Sequence, residues 1–126
     1  MTAIREATSA DAAALATLRA LFLGAGEGDD AFARDVAAWL EAEGERRTTW
    51  LAERDGAAIG MASLFEYRRM PRPGGGASRW GYVSNMFVRE EARDAGVGAA
   101  LLGAVIAADG SVAGDRLLVR PARPTG

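Results

Sequence analysis

The stretch from Val83 to Ala108 constrains this chain more than any other. It begins as a strand, with Trp80, Tyr82, Val83, Phe87 and Val88 supplying the aromatic and β-branched residues that suit a pleated surface. A charged turn, Arg89 to Arg93, leads to Gly96-Val97-Gly98. There a helix is predicted, its apolar positions Val97, Leu101, Val105 and Leu102, Ile106 recurring every four residues, and Asp109-Gly110 is its expected stop. Strand, glycine turn, helix presents unpaired backbone N–H groups at a helix N-terminus. The macrodipole adds about half a positive charge there, which suits an anion such as a phosphate. Gly96 and Gly98 lack the β-carbons that would hold a phosphate away from those amides.

Two other glycine-loop chemistries are excluded. A P-loop requires Gly-Lys-Ser/Thr, and the chain has no lysine. A dinucleotide fingerprint requires a third glycine where Leu101 stands, and an acid ending the second strand, whereas Asp115 precedes a strand. A packed αβ turn with no ligand is the remaining structural alternative.

The spacing Val88-x-x-x-x-Arg93-x-x-Gly96-x-Gly98, with small Ala99 next, resembles the acetyl-CoA-binding motif of the GNAT superfamily of N-acetyltransferases. The resemblance implies acetyl-CoA as cosubstrate, its pyrophosphate on the loop amides and its pantetheine arm beside the preceding strand. Met86, Phe87, Val88, Arg93, Asp94, Ala95, Gly96, Val97, Gly98 and Ala99 are the cofactor-binding residues carried over on it. Asp94 departs from the pattern, since a carboxylate there repels the cofactor unless it turns away or pairs with Arg89 or Arg93. Glu90 stands in place of a frequent proline.

Taken in order, the chain is read as follows. Ala3 to Ala7 is a first strand with Ile4 inward, and Thr8 to Asp11 fits a capping box. A helix to about Leu23 places Leu15, Leu18, Leu21 and Phe22 on its buried stripe. Residues 24–30 form an acidic glycine-rich loop. A second helix from about Asp30 to Ala42 buries Phe32, Val36, Trp39 and Leu40, and Gly44 ends it. Thr48 to Glu53 and Ala58 to Tyr67 are strands joined by an Asp55-Gly56 hairpin turn, and Arg68 to Arg79, rich in proline and glycine, is read as a loop. Arg116 to Arg120 is a last strand, parallel to the central one because a crossover helix precedes it. The order β-α-α-β-β-β-α-β, a mixed α/β sheet, is that of the GNAT fold, over residues 1–126 as one domain. The resemblance implies a further strand-helix-strand beyond the last strand, and the sequence reaches Gly126 without it, so a truncated C-terminus is expected.

Composition excludes some chemistry. With no cysteine and no histidine, disulfides, thiolate catalysis, Ser-His-Asp chemistry and the commonest metal ligands are absent, and no metal is expected. A formal charge of −2 gives no general attraction to nucleic acid or membrane. No leader or spanning segment is evident, so a cytoplasmic location is expected.

The family frequently has a glutamate base on the central strand and a C-terminal tyrosine acid; here Val83-Ser84-Asn85-Met86 carries no carboxylate and the tyrosines are Tyr67 and Tyr82. Candidate catalytic residues are therefore Asn85 (the only asparagine), Ser84, Glu66 and Tyr82. The acceptor, a small-molecule or peptide amine, is expected between the first two helices and the central strand. Glu27, Asp29 and Asp30 are candidates for attracting it, as a solvated loop or a cation site. Arg68, Arg69, Arg72 and Arg79 are candidates for an acidic acceptor or the 3′-phosphate of CoA. The implied function is acetyl transfer from acetyl-CoA to a primary amine by direct attack in a ternary complex. The alternative is a non-enzymatic acyl-CoA-binding or regulatory module. A homodimer is expected, formed by the exposed edge of the last strand.

Overall fold

A computed structural model describes residues 2–74, 76–109 and 116–119. The elements are β1 (Thr2–Glu6), α1 (Ala12–Phe22), α2 (Asp30–Glu43), β2 (Arg47–Arg54), β3 (Ala57–Arg72), β4 (Gly76–Val88), α3 (Val97–Asp109) and β5 (Arg116–Val119), with 3₁₀ turns at Ser9–Asp11 and Glu90–Ala95. The expected β-α-α-β-β-β-α-β order is therefore present. The five strands lie in chain order, β1 to β4 antiparallel and β5 parallel to β4. No described helix is long and apolar enough to cross a membrane.

Period-two alternation sends neighbouring strand residues to opposite faces, so β2, β3 and β4 each feed two cores. Trp50, Ala52, Ala62, Leu64 and Val83 pack with Val97, Leu101 and Val105 of α3. Leu51 and Met61 pack instead with Leu15 and Leu18 of α1, where Phe22, Val36, Leu40 and Phe87 add half-buried surface. Ile4 packs against the α3 core, as its inward direction required. The capping box forms as read. The Thr8 hydroxyl accepts from the Ala10 N–H at 3.3 Å, and Asp11 accepts from the Thr8 N–H at 2.8 Å. The Asp55-Gly56 turn has positive φ at both residues, 53° and 79°, the pair a tight hairpin demands.

Four expectations are corrected. Arg68 to Arg79 is not a loop: β3 and β4 continue pairing as far as Arg72 opposite Gly76. Pro71 is tolerated because the register breaks between Arg69 and Arg72, where no ladder N–H is required, and Pro73-Gly74 turns the chain, Gly74 at φ 75°. On α2, Phe32, Val36 and Trp39 are half-buried, not buried, because they face an open cleft, and Leu40, also half-buried, lines a second hollow beside Thr8 and Thr48. On α1 the stripe is completed by Ala12, Ala16 and Ala20, with Leu21 half-buried. Ile106 is 37% exposed and faces away from the α3 core. Gly110 and Arg120 lie outside the described residues, as do residues 121–126.

Candidate functional site

The β4 strand changes character at Asn85. Ser84 pairs with Ser63 and Phe87 with Met61, so Asn85 and Met86 together oppose Ala62. This is a β-bulge. Asn85 adopts φ 54°, a left-handed conformation that asparagine tolerates better than other side chains except glycine. Within the described residues, β5 pairs only with Trp80 to Val83. Past Val83 the outer edge of β4, from Ser84 to Val88, has no described strand beside it.

That edge runs directly into the glycine turn. Arg89 N–H donates to the Ile59 carbonyl at 2.8 Å, closing the strand, and buried Ala92 anchors the 3₁₀ turn that follows. The Arg93 guanidinium is pinned: its Nε donates to the Val88 carbonyl at 2.9 Å and its carbon lies 5.6 Å from the Phe87 ring centre. Arg89 pairs with Glu91 at 2.8 Å. The Glu91 carboxyl is held below its usual range, first by its own backbone N–H and then by Arg89. The side chains of Asp94 and Ala95 are outside those described.

Gly96 has φ 74° and ends the turn; α3 opens with a bond from the Ala100 N–H to the Gly96 carbonyl at 3.0 Å. The N–H groups of Val97, Gly98 and Ala99 precede that bond, as the opening donors of a helix do. A β-carbon placed on Gly98 would meet only Val88 Cγ2, at 3.9 Å, and one on Gly96 nothing within 4 Å. Packing inside the chain therefore does not require glycine at 98. The bare backbone there leaves room for a bulky anion against the amides, so this turn fits the pyrophosphate of a CoA.

On the other side of the bulge is a cleft of about 420 Å³, of small-molecule size. Its apolar lining includes Leu15, Phe32, Val36, Trp39 and Met61, and its polar lining includes Arg19, Asp35, Arg47, Thr49, Ser63 and Asn85. Arg19 Nη1 donates to Asn85 Oδ1 at 2.8 Å. Arg47 lies between two rings, its guanidinium carbon 5.0 Å from the Trp39 centre and 4.8 Å from that of Phe65. Its Nη1 donates to the Ser84 hydroxyl at 3.3 Å. Beneath them Thr49 and Ser63 share a buried hydroxyl–hydroxyl bond of 3.0 Å. A stack of Phe22 on Phe87, centres 5.5 Å apart, links α1 to the strand that leads to the glycine turn.

The sequence candidates separate accordingly. Asn85 and Ser84 stand at the bulge, joined to the two cleft arginines. Tyr82 pairs with Phe65, placing it on the cleft-side face of β4, whereas Glu66 follows Leu64 in period and falls on the α3 face. Asp29 does not line the cleft; its side chain accepts from the Phe32 N–H at 2.9 Å and caps α2. Sequence reading passed over Arg19, Asp35 and Arg47. For Arg19 a signal existed, since it falls four residues after Leu15 and three before Phe22, on the inward side of an otherwise apolar stripe.

Comparison with known proteins gives a consistent result. The family model described as Acetyltransferase (GNAT) family matches residues 12–118. A predicted acetyltransferase with acetyl-CoA from Clostridium acetobutylicum is similar at TM-score 0.74 and 17% identity, covering 98% of this chain and 82% of that one. A ribosomal-protein-alanine N-acetyltransferase from Brucella melitensis biovar Abortus 2308 gives TM-score 0.75 and 20% identity, with 98% and 82% covered. AAC(6')-Iy, solved with the bisubstrate analogue CoA-S-monomethyl-acetylneamine, gives TM-score 0.71 and 25% identity, with 96% and 80% covered. No curated protein matches the chain.

Proposed function

The chain belongs to the acetyltransferase (GNAT) family, and on that premise we propose that it transfers an acetyl group from acetyl-CoA to a primary amine bound in the cleft beside Asn85. Residues 1–126 act as one domain in this reading. The observation that carries it is the position of β4: the bulge at Asn85-Met86 separates the amine-sized cleft from the glycine turn of α3.

Acetyl-CoA supplies an activated thioester carbonyl. The neutral amine attacks that carbonyl in a ternary complex, the C–S bond breaks, and the proton lost by nitrogen ends on the CoA thiol. The chain's part is positioning and electrostatics, which account for much of the barrier reduction in such two-substrate reactions. The Val97, Gly98 and Ala99 amides would hold the pyrophosphate, with Met86, Phe87 and Val88 offering backbone groups along the edge leading to it. Beside the bulge, Asn85 and Ser84 are held in place by Arg19 and Arg47. The reading further includes a two-fold dimer across the outer edge of β5, the last strand in the sheet order. Light scattering tests that part, and a chain that stays monomeric at high micromolar concentration removes it.

Release of free thiol from acetyl-CoA across an amine panel tests the main reading. Amine-dependent release is the expected result; CoA binding without release under any amine overturns transfer while leaving the cradle in place.

A further inference from the structure

The walls of the proposed acceptor cleft contain two guanidinium groups and one carboxylate, Asp35. Neither guanidinium is well neutralised. Arg19 makes no ion pair among the described residues; its side-chain partner is the uncharged Asn85 amide oxygen. The Arg47 side chain is only 17% exposed, and its nearest carboxylate, Glu43, is 3.5 Å away, longer than a good charged hydrogen bond. Its Nη1 reaches a neutral hydroxyl, and its Nε is buried with no hydrogen-bond partner. A guanidinium so far removed from water and so loosely paired gains from an anion delivered to it. Flanking rings of Trp39 and Phe65 hold its plane, so little freedom is lost when the anion arrives.

We propose that the acceptor amine also carries a carboxylate and an apolar side group. Arg47 takes the carboxylate, Arg19 adds attraction near the bulge, and Phe32, Val36 and Trp39 cover the apolar part. Asp35 in the wall and Glu43 behind Arg47 offset part of the positive charge, which favours a singly charged carboxylate over a phosphate dianion. A polyamine meets two like charges in the same cleft. This substrate class rests on reading the cleft as the acceptor site.

Binding is measured by calorimetry without CoA, using N-acetyl-phenylalanine, its decarboxylated twin N-phenethylacetamide, and O-phosphoethanolamine. The carboxylate is expected to bind at least about tenfold tighter than its twin. Arg47→Gln should erase that preference while leaving the twin's affinity unchanged, and Arg47→Lys should keep part of it. Asp35→Asn, at an exposed position, should tighten the carboxylate further, which keeps the test decisive if Arg47→Gln does not fold. Equal binding of the twins, tighter binding of the phosphate, or a preference untouched by both Arg47→Gln and Asp35→Asn overturns the proposal. Turnover separates it from the reading beneath it. A carboxylate preference with no thiol release from phenylalanine or phenethylamine overturns acetyl transfer only. Release from phenethylamine with none from phenylalanine upholds transfer and overturns the carboxylate.

Discussion

Arg19 on α1 donates to Asn85 on β4 across 2.8 Å, tying the first helix to a strand residue with a left-handed backbone. The bond fixes a positive charge beside the bulge and helps settle which way the Asn85 amide faces. A cation there disfavours a protonated amine nearby and so favours the neutral nucleophile.

The first prediction follows from that charge. Arg19→Gln should move the rising limb of kcat/KM against pH to higher pH, because the bound amine then loses its proton less readily. Asn85→Gly keeps the left-handed backbone and should leave the melting temperature within a few degrees, whereas Asn85→Val forces a β-branched residue into that region and should cost about 1–3 kcal/mol. A pH profile unmoved by Arg19→Gln would show that the amine does not feel this charge.

The two turn glycines should fail differently. Gly96 is needed for its φ of 74°, so Gly96→Ala should cost about 1 kcal/mol in urea unfolding. Gly98 meets only Val88 Cγ2 at 3.9 Å, so Gly98→Ala should fold with wild-type stability. Gly98→Glu places bulk and negative charge against the amides and should abolish the rise in melting temperature that CoA produces in the wild type. Equal CoA shifts in wild type and Gly98→Glu would remove the cradle.

Much of this fold could be read from local rules. The Thr8–Asp11 cap, the Asp55-Gly56 turn and the four-residue recurrence of Val97, Leu101 and Val105 each depend on neighbours in sequence, and each formed as expected. The β3–β4 extension did not announce itself, because prolines and arginines mask period-two alternation wherever both faces of a hairpin are wet. The cleft was less legible still. Arg47 belongs to it only because β2 brings it between Trp39, eight residues back, and Phe65, eighteen residues on. Asn85 stood out as a lone asparagine, but that it sits in a bulge depends on the register of two strands.

Acid should reveal the ion network at the start of α1. Arg5 bridges Asp11 and Glu53, and the Asp11 carboxyl is lowered to about 2, chiefly by its hydrogen bond to Arg5. Since its ordinary value is 3.8, Asp11 stabilises the fold fully above about pH 4, and that contribution drains away as pH falls toward 2. Asp11→Asn should therefore lower the melting temperature at pH 7 and match the wild type near pH 2. Thr8→Ala, which removes the reciprocal cap, should cost about 1 kcal/mol. A wild type and Asp11→Asn that differ equally at both pH values would place the effect outside this titration.

The sheet and α3 fit closely at Gly60. A β-carbon there would stand 3.1 Å from Leu101 Cδ1, 3.1 Å from the Phe87 carbonyl oxygen and 3.4 Å from Val88 Cγ2. Leu101 can turn aside, but the carbonyl belongs to β4 just past the bulge and moves only if the strand does. Gly60→Ala should cost about 1–3 kcal/mol as an overpacked contact. Leu101→Ala, in a fully buried position, should cost about 2–5 kcal/mol through the cavity it leaves. The two changes share a contact, so the double variant separates the two obstacles. If the leucine methyl is the main obstacle, the double variant will be more stable than the sum of the single losses implies; if the Phe87 carbonyl is, the losses will add. Displacing Phe87 and Val88 also disturbs the edge assigned to the cosubstrate, so Gly60→Ala should reduce the CoA-induced thermal shift as well as the urea midpoint. A Gly60→Ala chain with both readouts unchanged would mean that the β3–β4 spacing yields by a few tenths of an ångström at no measurable cost.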